Sequence, residues 1–220
     1  MTATPKSEII PMFAVPMAQF HLPEPERLCA DLRTLFLERE ENGNDVRNAT
    51  KRPTQGEEVF ESKFDLFHWP DAPVTALRNF CHGSLMALLK HFGQLTPDSK
   101  MKIDYHAWFH ITRNGGYQGL HNHQNASWSG IFCVDPGDTL PDNPRSGVVR
   151  FHDPKVGCNM FVDPANNRMP MPFNNGVYEV YHRPGTLTIF PSYLNHEIFV
   201  YEGQRERIVV AFNSWALPTA

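Results

Sequence analysis

The chain has 220 residues, of which 41% are hydrophobic and 20% are charged, and its formal net charge is −4. This length predicts a single domain over residues 1–220, with helical support at 1–97 and a jelly-roll core at 98–220. The 20 basic residues are spread against 24 acidic ones, so we expect no nucleic-acid or membrane partner. Residues 1–15 do not resemble a signal peptide, and the four cysteines are widely spaced. Reduced thiols and a cytoplasmic location are therefore expected.

The first half of the chain predicts an extended segment followed by two helices. Prolines at positions 5, 11 and 16 favour an extended lead-in or an edge strand over residues 1–22. From Glu24 to Glu41 apolar residues recur at spacings of three and four, which is the period of a helix. The same period predicts a second helix from Asp71 to Gly93. Residues 44–69 predict a loop with a short strand.

After Pro97 the pattern changes to short strands separated by turns. We expect strands at 102–111, 131–134, 148–153, 177–181, 186–190, 197–201 and 207–215. Residues 153–176 are too long for an ordinary connection and predict an excursion over the sheet or a lid. Two helices followed by many short strands indicate an α+β, mainly β fold whose sheets close as a sandwich or small barrel.

Two histidines, His121 and His123, stand one residue apart just ahead of the strand at 131–134. On an extended backbone both rings lie on one face and can converge on a metal ion. His196 follows 75 residues after His121, and in a jelly roll it can face the pair. Neutral imidazole binds iron, zinc, nickel or copper, and three protein ligands leave positions for a substrate. The other histidines of the strand region are expected to be hydrogen-bonded core or surface residues: His106, His110, His152 and His182.

Arg207 lies 11 residues after His196, at the start of an apolar strand. An arginine fixed beside a metal is a bidentate clamp for a carboxylate. The alternative is a surface arginine paired with Glu206, which suits Arg205 better because residues 208–212 are apolar. Three further residues are expected to line the cavity near the co-substrate: Tyr105, Trp128 and Ser129.

Three motifs carry a resemblance to a known family: HNH at 121–123 with SGIFCV at 129–134, GTLTIFPSYLNH at 185–196, and ERIVVAFN at 206–213. In this order they resemble the 2-oxoglutarate/Fe(II)-dependent oxygenases of bacteria and phages, near the prolyl-hydroxylase-like and phytanoyl-hydroxylase-like oxygenases. The resemblance spans roughly Tyr105 to Trp215.

That resemblance implies a double-stranded β-helix, a cupin-like jelly roll, with the N-terminal helices packed on its sheet. It implies Fe(II) held by His121, His123 and His196, and 2-oxoglutarate with its far carboxylate on Arg207. It also implies a dioxygenase that hydroxylates a small-molecule or peptide substrate and releases succinate and CO2. Glu197, beside the third histidine, is expected to point to the opposite face.

One position departs from the pattern of that superfamily, whose first motif is usually His-x-Asp or His-x-Glu. Here His123 stands at the carboxylate position, as in three-histidine cupin dioxygenases and zinc sites, and Asp135 or Asp153 is an alternative carboxylate. Two other functions therefore stay open. One is a three-histidine, cupin-like metal enzyme without 2-oxoglutarate, and the other is a non-catalytic jelly-roll module that binds sugar or peptide. The substrate is not encoded in a readable motif, and the proline-rich N-terminal segment allows a homodimer by strand exchange.

Overall fold

The computed structural model describes residues 8–43, 45–50, 52–94, 100–155 and 163–219. Within these ranges the chain forms two α-helices and ten strands. The helices are α1 (Pro25–Glu41) and α2 (Ala72–His91). The strands are β1 (Ala18–His21), β2 (Val59–Glu61), β3 (Met101–Thr112), β4 (Gln118–His121), β5 (Trp128–Asp135), β6 (Val149–His152), β7 (Val177–Val180), β8 (Thr186–Pro191), β9 (His196–Ile198) and β10 (Arg207–Pro218).

The strands form two antiparallel sheets that face each other. The larger sheet has the order β1-β8-β5-β10-β3-β2, and the smaller has the order β4-β9-β6-β7. From β3 onward the chain passes back and forth between the larger and the smaller sheet, which is the path of a double-stranded β-helix. The expected fold class, mainly β with a jelly-roll core, is therefore confirmed.

Both helices pack on the outer face of the larger sheet. Phe36 of α1 and Leu85 of α2 are completely buried there in one apolar cluster with residues of β3, β5 and β10. The rings of Phe36 and Phe109 stack with their centroids 4.2 Å apart. Each such side chain contributes about 1.5–3 kcal/mol through burial. The helices thus supply much of the core, and the inner face of the sheet can carry polar side chains.

Strand β3 contributes side chains both to the core under the helices and to the space between the two sheets. It pairs with β10 along its whole length, from Thr112 opposite Arg207 to Met101 opposite Pro218. Because side chains alternate along a strand, Phe109 faces the helices whereas Trp108 and His110 face the smaller sheet. The inner face of β3 is therefore a wall of the space between the sheets.

Most predicted elements lie within a few residues of the observed ones, with β1 at an edge of the larger sheet and β2 as the short strand after the first helix. Strand β4 is an exception, because its four residues contain a glycine and show no apolar alternation that would mark a strand. The expected lid falls partly on residues 156–162, which lie outside the described residues. No helix in the described part of the chain is long and apolar enough to cross a bilayer.

Candidate metal and co-substrate site

A cavity of about 110 Å³ lies between the two sheets. Its walls come from the inward-facing residues of both sheets, among them His110 of β3, Ile131 of β5, Val149 of β6 and Val209 of β10. Ile131, Val149 and Val209 belong to an apolar cluster between the sheets that is separate from the one under the helices. The cavity is thus enclosed by apolar side chains on several sides and has polar groups at selected places.

Three histidines meet at this cavity. One possible ligand atom from each of His121, His123 and His196 lies within 4.8 Å of the other two. The ring centroids of His121 and His196 are 4.3 Å apart, and the ring of His123 lies 5.2 Å and 5.3 Å from them. Within the described ranges this is the one group of three or more His, Cys, Asp or Glu residues arranged to hold a metal ion. The structure therefore brings together the three residues selected from the sequence.

The backbone brings the rings together in a different way from that expected. His121 ends β4 and stands directly opposite His196 of β9 in the smaller sheet. His123 lies beyond the end of β4, where its backbone N–H donates to the carbonyl oxygen of Ser192 at 2.8 Å. Convergence thus depends on cross-strand pairing and one anchored loop residue, and not on two side chains on the same face of one strand.

Hydrogen bonds set the protonation of two of the rings. Nδ1 of His121 lies 2.7 Å from the carbonyl oxygen of Gly119, and Nδ1 of His196 lies 3.1 Å from that of Leu194. A carbonyl oxygen can only accept, so each Nδ1 carries the proton and each Nε2 keeps a lone pair for a metal. Nδ1 of His123 lies 3.5 Å from the side-chain amide of Asn213.

Burial keeps all three rings uncharged. Burial, followed by the proximity of His121, lowers the pKa of His123 to about 3. Burial also lowers the pKa of His121, and burial together with the other two histidines lowers the pKa of His196 well below its ordinary value. Because the neutral imidazole is the form that binds a metal ion, the three residues fit a divalent transition metal.

Arg207 lines the same cavity and is only 3% exposed. Its Nη2 atom is buried without a hydrogen-bond partner among the described residues. Gly147 makes room for the side chain, since a Cβ atom there would lie 2.9 Å from Cδ of Arg207. Burial lowers the pKa of the guanidinium, but arginine keeps its proton in proteins. A buried cation with an unpaired donor favours a bound anion, so the site fits a carboxylate of a ligand.

The surface ion pairs belong to the residues next to Arg207. Arg205 binds Asp135 at 2.7 Å, and Glu206 binds Arg33 at 2.8 Å. Arg207 therefore takes no part in the surface pairing that was its alternative explanation.

Of the three residues expected around the co-substrate, only Ser129 lines the cavity. The structure corrects the expectation for Tyr105 and Trp128, which point to the helical side of their strands. The hydroxyl oxygen of Tyr105 lies 2.8 Å from Nδ1 of His82 on α2, and Trp128 stacks against Phe92. Alternation along the strands explains both results, because Tyr105 shares a face with the core residues of β3 and Trp128 immediately precedes Ser129.

Neither Asp135 nor Asp153, the two alternative carboxylate ligands, belongs to the group formed by the three histidines. Asp135 is bound to Arg33 and Arg205, and neither Asp135 nor Asp153 is among the residues that line the cavity. Glu197 points away from the cavity, as expected, and its carboxylate lies 3.0 Å from Nε2 of His152.

Sequence reasoning missed a buried carboxylate, Glu61 of β2, which lines the cavity. It accepts hydrogen bonds from Asn48 at 2.6 Å and from Nε2 of His110 at 2.8 Å, and Nε of Arg52 lies 3.4 Å away. Burial acts to raise the pKa of Glu61, but the hydrogen bond and charge of His110, with Arg52 and Asn48, keep it below its ordinary value. The stretch around it has no clean period, so no sequence signal marked this residue.

A double-stranded β-helix in which one buried histidine, two partly buried histidines and a buried arginine meet at one cavity defines a metal-dependent enzyme of the cupin-like class. Residues 106–213 match the family described as "Putative 2OG-Fe(II) oxygenase". Through these residues the chain belongs to that oxygenase family. It is thus an oxidoreductase that uses Fe(II) and 2-oxoglutarate.

Solved structures with the same fold include several oxygenases. A prolyl-4-hydroxylase from Pseudomonas putida is 15% identical, with 93% of each chain covered and a TM-score of 0.61. A prolyl hydroxylase from Trichoplax adhaerens, in complex with a hypoxia inducible factor peptide fragment, is 10% identical, with 90% of this chain and 83% of that one covered and a TM-score of 0.59. HygX from Streptomyces hygroscopicus, with nickel, 2-oxoglutarate and hygromycin B bound, is 11% identical, with 91% and 83% covered and a TM-score of 0.54. At these identities the likeness shows the fold. No curated protein matches the chain.

Proposed function

We propose that this oxygenase hydroxylates an organic substrate and releases succinate and CO2, with His121, His123 and His196 as its iron ligands and Arg207 as its 2-oxoglutarate clamp. The observation that carries the proposal is a single cavity that contains both the three neutral imidazoles and the buried guanidinium. A metal ion and a carboxylate ligand satisfy these two features together.

Each residue has a distinct role in this proposal. The three histidines hold Fe(II), which when bound supplies the activation of O2. Arg207 orients the co-substrate by donating hydrogen bonds to its far carboxylate. Ile131, Val149 and the other apolar residues between the sheets exclude water from the reacting groups. Ser129 donates to the side-chain oxygen of Asn213 at 2.7 Å, which steadies the amide next to His123.

The substrate is proposed to be a small molecule or a peptide. The fold likeness to one structure that contains a peptide and to another that contains hygromycin B supports this range. We further propose a cytoplasmic protein that does not bind nucleic acid. The free, buried thiols of Cys29, Cys81 and Cys133 and the formal charge of −4 support these two points. The position of β1 at a sheet edge supports a homodimer formed by strand exchange.

Equilibrium binding separates this proposal from its two alternatives. Metal-free protein is titrated with Ni(II), which replaces Fe(II) without turnover, and the loaded protein is then titrated with 2-oxoglutarate in a calorimeter. We expect one metal ion per chain, and co-substrate binding only after metal loading. Arg207→Met should weaken co-substrate binding by at least about a hundredfold, whereas Arg205→Met, the matched surface control, should preserve it.

Each alternative gives a different pattern in the same titrations. Metal binding without any 2-oxoglutarate binding would favour the three-histidine enzyme that does not use this co-substrate. A stable protein that binds no metal would favour the non-catalytic module.

A further inference from the structure

Three histidine ligands bring no negative charge to a divalent metal ion, whereas a His-x-Asp motif brings one. Among the described residues that line the cavity, Glu61 is the only acidic one. Arg52 and Arg207 are the cationic side chains of the same lining. The charge balance around the metal therefore depends on a carboxylate that lies outside the family match at 106–213.

The position of Glu61 follows from the strand register. Glu61 of β2 stands directly opposite His110 of β3. Phe60 is part of the core under the helices, so its neighbour Glu61 faces the space between the sheets. Its side chain is 6% exposed, which places a full negative charge inside the protein.

The carboxylate is fully engaged and its charge is fixed in place. Asn48 donates to Oε1, and Nε2 of His110 lies 2.8 Å from Oε2 and 3.2 Å from the indole nitrogen of Trp108. Nδ1 of the same ring lies 3.0 Å from Nε2 of Gln118. A carboxylate held by these donors acts on the metal site through space and not as a ligand.

Arg52 is the opposing charge in the lining of the cavity. Its side chain is 33% exposed, its Nε lies 3.4 Å from Oε1 of Glu61, and its guanidinium lies 5.5 Å above the ring of Phe64. The two charges act on the histidines with opposite signs. Arg52 and His110 lower the pKa values of His121 and His123, and Glu61 raises them.

Building on the proposed iron site, we propose that Glu61 supplies from β2 the negative charge that the three neutral ligands lack, and that Arg52 opposes it. In this proposal the negative charge of Glu61 strengthens metal binding through space, and its carboxylate does not touch the metal. Arg52, as its counterweight, limits the strength of that binding.

The test is the affinity of metal-free protein for Co(II), measured by calorimetry, which requires neither 2-oxoglutarate nor O2. Glu61→Gln keeps the shape and removes the charge, and we expect about a tenfold loss of affinity from a unit charge near a dication. Arg52→Gln should tighten Co(II) binding several-fold, on the same electrostatic grounds. The double variant should return close to the wild-type affinity. Because Arg52 is partly exposed, its variant should fold even if Glu61→Gln does not.

The signs of the two effects decide the outcome. A purely structural role for the pair predicts weaker binding in both variants, and that result, or no change in either, would overturn the inference. The metal site itself is checked separately with wild-type protein and His196→Ala. If the wild type binds no Co(II), or if His196→Ala leaves binding unchanged, the proposed function fails, whatever the role of Glu61.

Discussion

Substitution of Arg207 by methionine should have opposite effects on ligand binding and on stability. This guanidinium is buried beside the cavity, and its Nη2 atom has no hydrogen-bond partner among the described residues. Methionine has a similar length and no charge, so it fills much of the same space. The substitution therefore removes a costly buried charge and, at the same time, the proposed partner of a carboxylate.

The expected loss of co-substrate affinity follows from the hydrogen bonds removed. A hydrogen bond between charged groups contributes about 1.5–3 kcal/mol. A bidentate contact between Arg207 and a carboxylate has two such bonds and should contribute about 3–6 kcal/mol. Since about 1.4 kcal/mol corresponds to a factor of ten, 2-oxoglutarate should bind roughly 10²- to 10⁴-fold more weakly to the metal-loaded variant.

The expected effect on folding has the opposite sign. Replacing a buried charge that lacks a full set of partners with an apolar side chain is often neutral or stabilises a protein by about 1–4 kcal/mol. Metal-free Arg207→Met should thus be at least as stable as the wild type in urea unfolding. Arg205→Met serves as the control, because it removes an arginine that is bound to Asp135 and lies outside the cavity lining.

Two measurements on the same preparations would refute this reasoning. One is a calorimetric dissociation constant of 2-oxoglutarate for Arg207→Met that lies within a factor of three of the wild-type value. The other is a loss of more than about 2 kcal/mol in the free energy of unfolding of the metal-free variant, which would assign the arginine to the fold.

Three further predictions address the metal site, its protonation and the core. Saturating Ni(II), at about 100 times its dissociation constant, should stabilise the wild type by about 2.7 kcal/mol in urea unfolding and leave His196→Ala unchanged; equal stabilisation of both would place the metal elsewhere. Burial lowers the pKa values of His123 and His182 to about 3, so the unfolded state binds more protons below about pH 6.5, and stability falls as the pH drops. Between pH 7 and pH 5 each should cost about 2 kcal/mol in urea unfolding of the metal-free protein. His182→Gln should remove its share of that loss, and an unchanged pH dependence would contradict the assignment. Phe36→Ala should lower the free energy of unfolding by about 3–5 kcal/mol, because the ring is fully buried under α1. The folded variant should keep its Ni(II) affinity. A loss below about 1 kcal/mol would contradict the packing.

The features that were predictable from the sequence rest on local periodicity or on short motifs in a fixed order. The two helices follow from apolar spacing, and the strand starting at Arg207 follows from a run of apolar residues. His121, His123 and His196 were selected by residue type and order. The arrangement of the three histidine rings depends on the pairing of β4 with β9 and on the backbone hydrogen bond from His123 to Ser192. Both are long-range contacts.

The features that were missed depend on which face of a strand points inward. Tyr105 and Trp128 lie next to the inward positions of their strands, and a shift of one residue moves a side chain to the other face. Glu61 lies in a short strand at a sheet edge, where three residues are too few to show a period. Its role becomes visible only when the fold places it opposite His110 and on the wall of the same cavity as the histidines.

The most direct test of the central claim is the conversion of 2-oxoglutarate by Fe(II)-loaded protein. The co-substrate, labelled at its C1 carboxylate, is incubated with protein, Fe(II), ascorbate and O2, and released CO2 and succinate are quantified. We expect equal amounts of both products, a strict requirement for Fe(II), and loss of turnover in His196→Ala and Arg207→Met but not in Arg205→Met. Iron-loaded wild-type protein that releases neither product across a broad panel of small molecules and peptides would contradict the account.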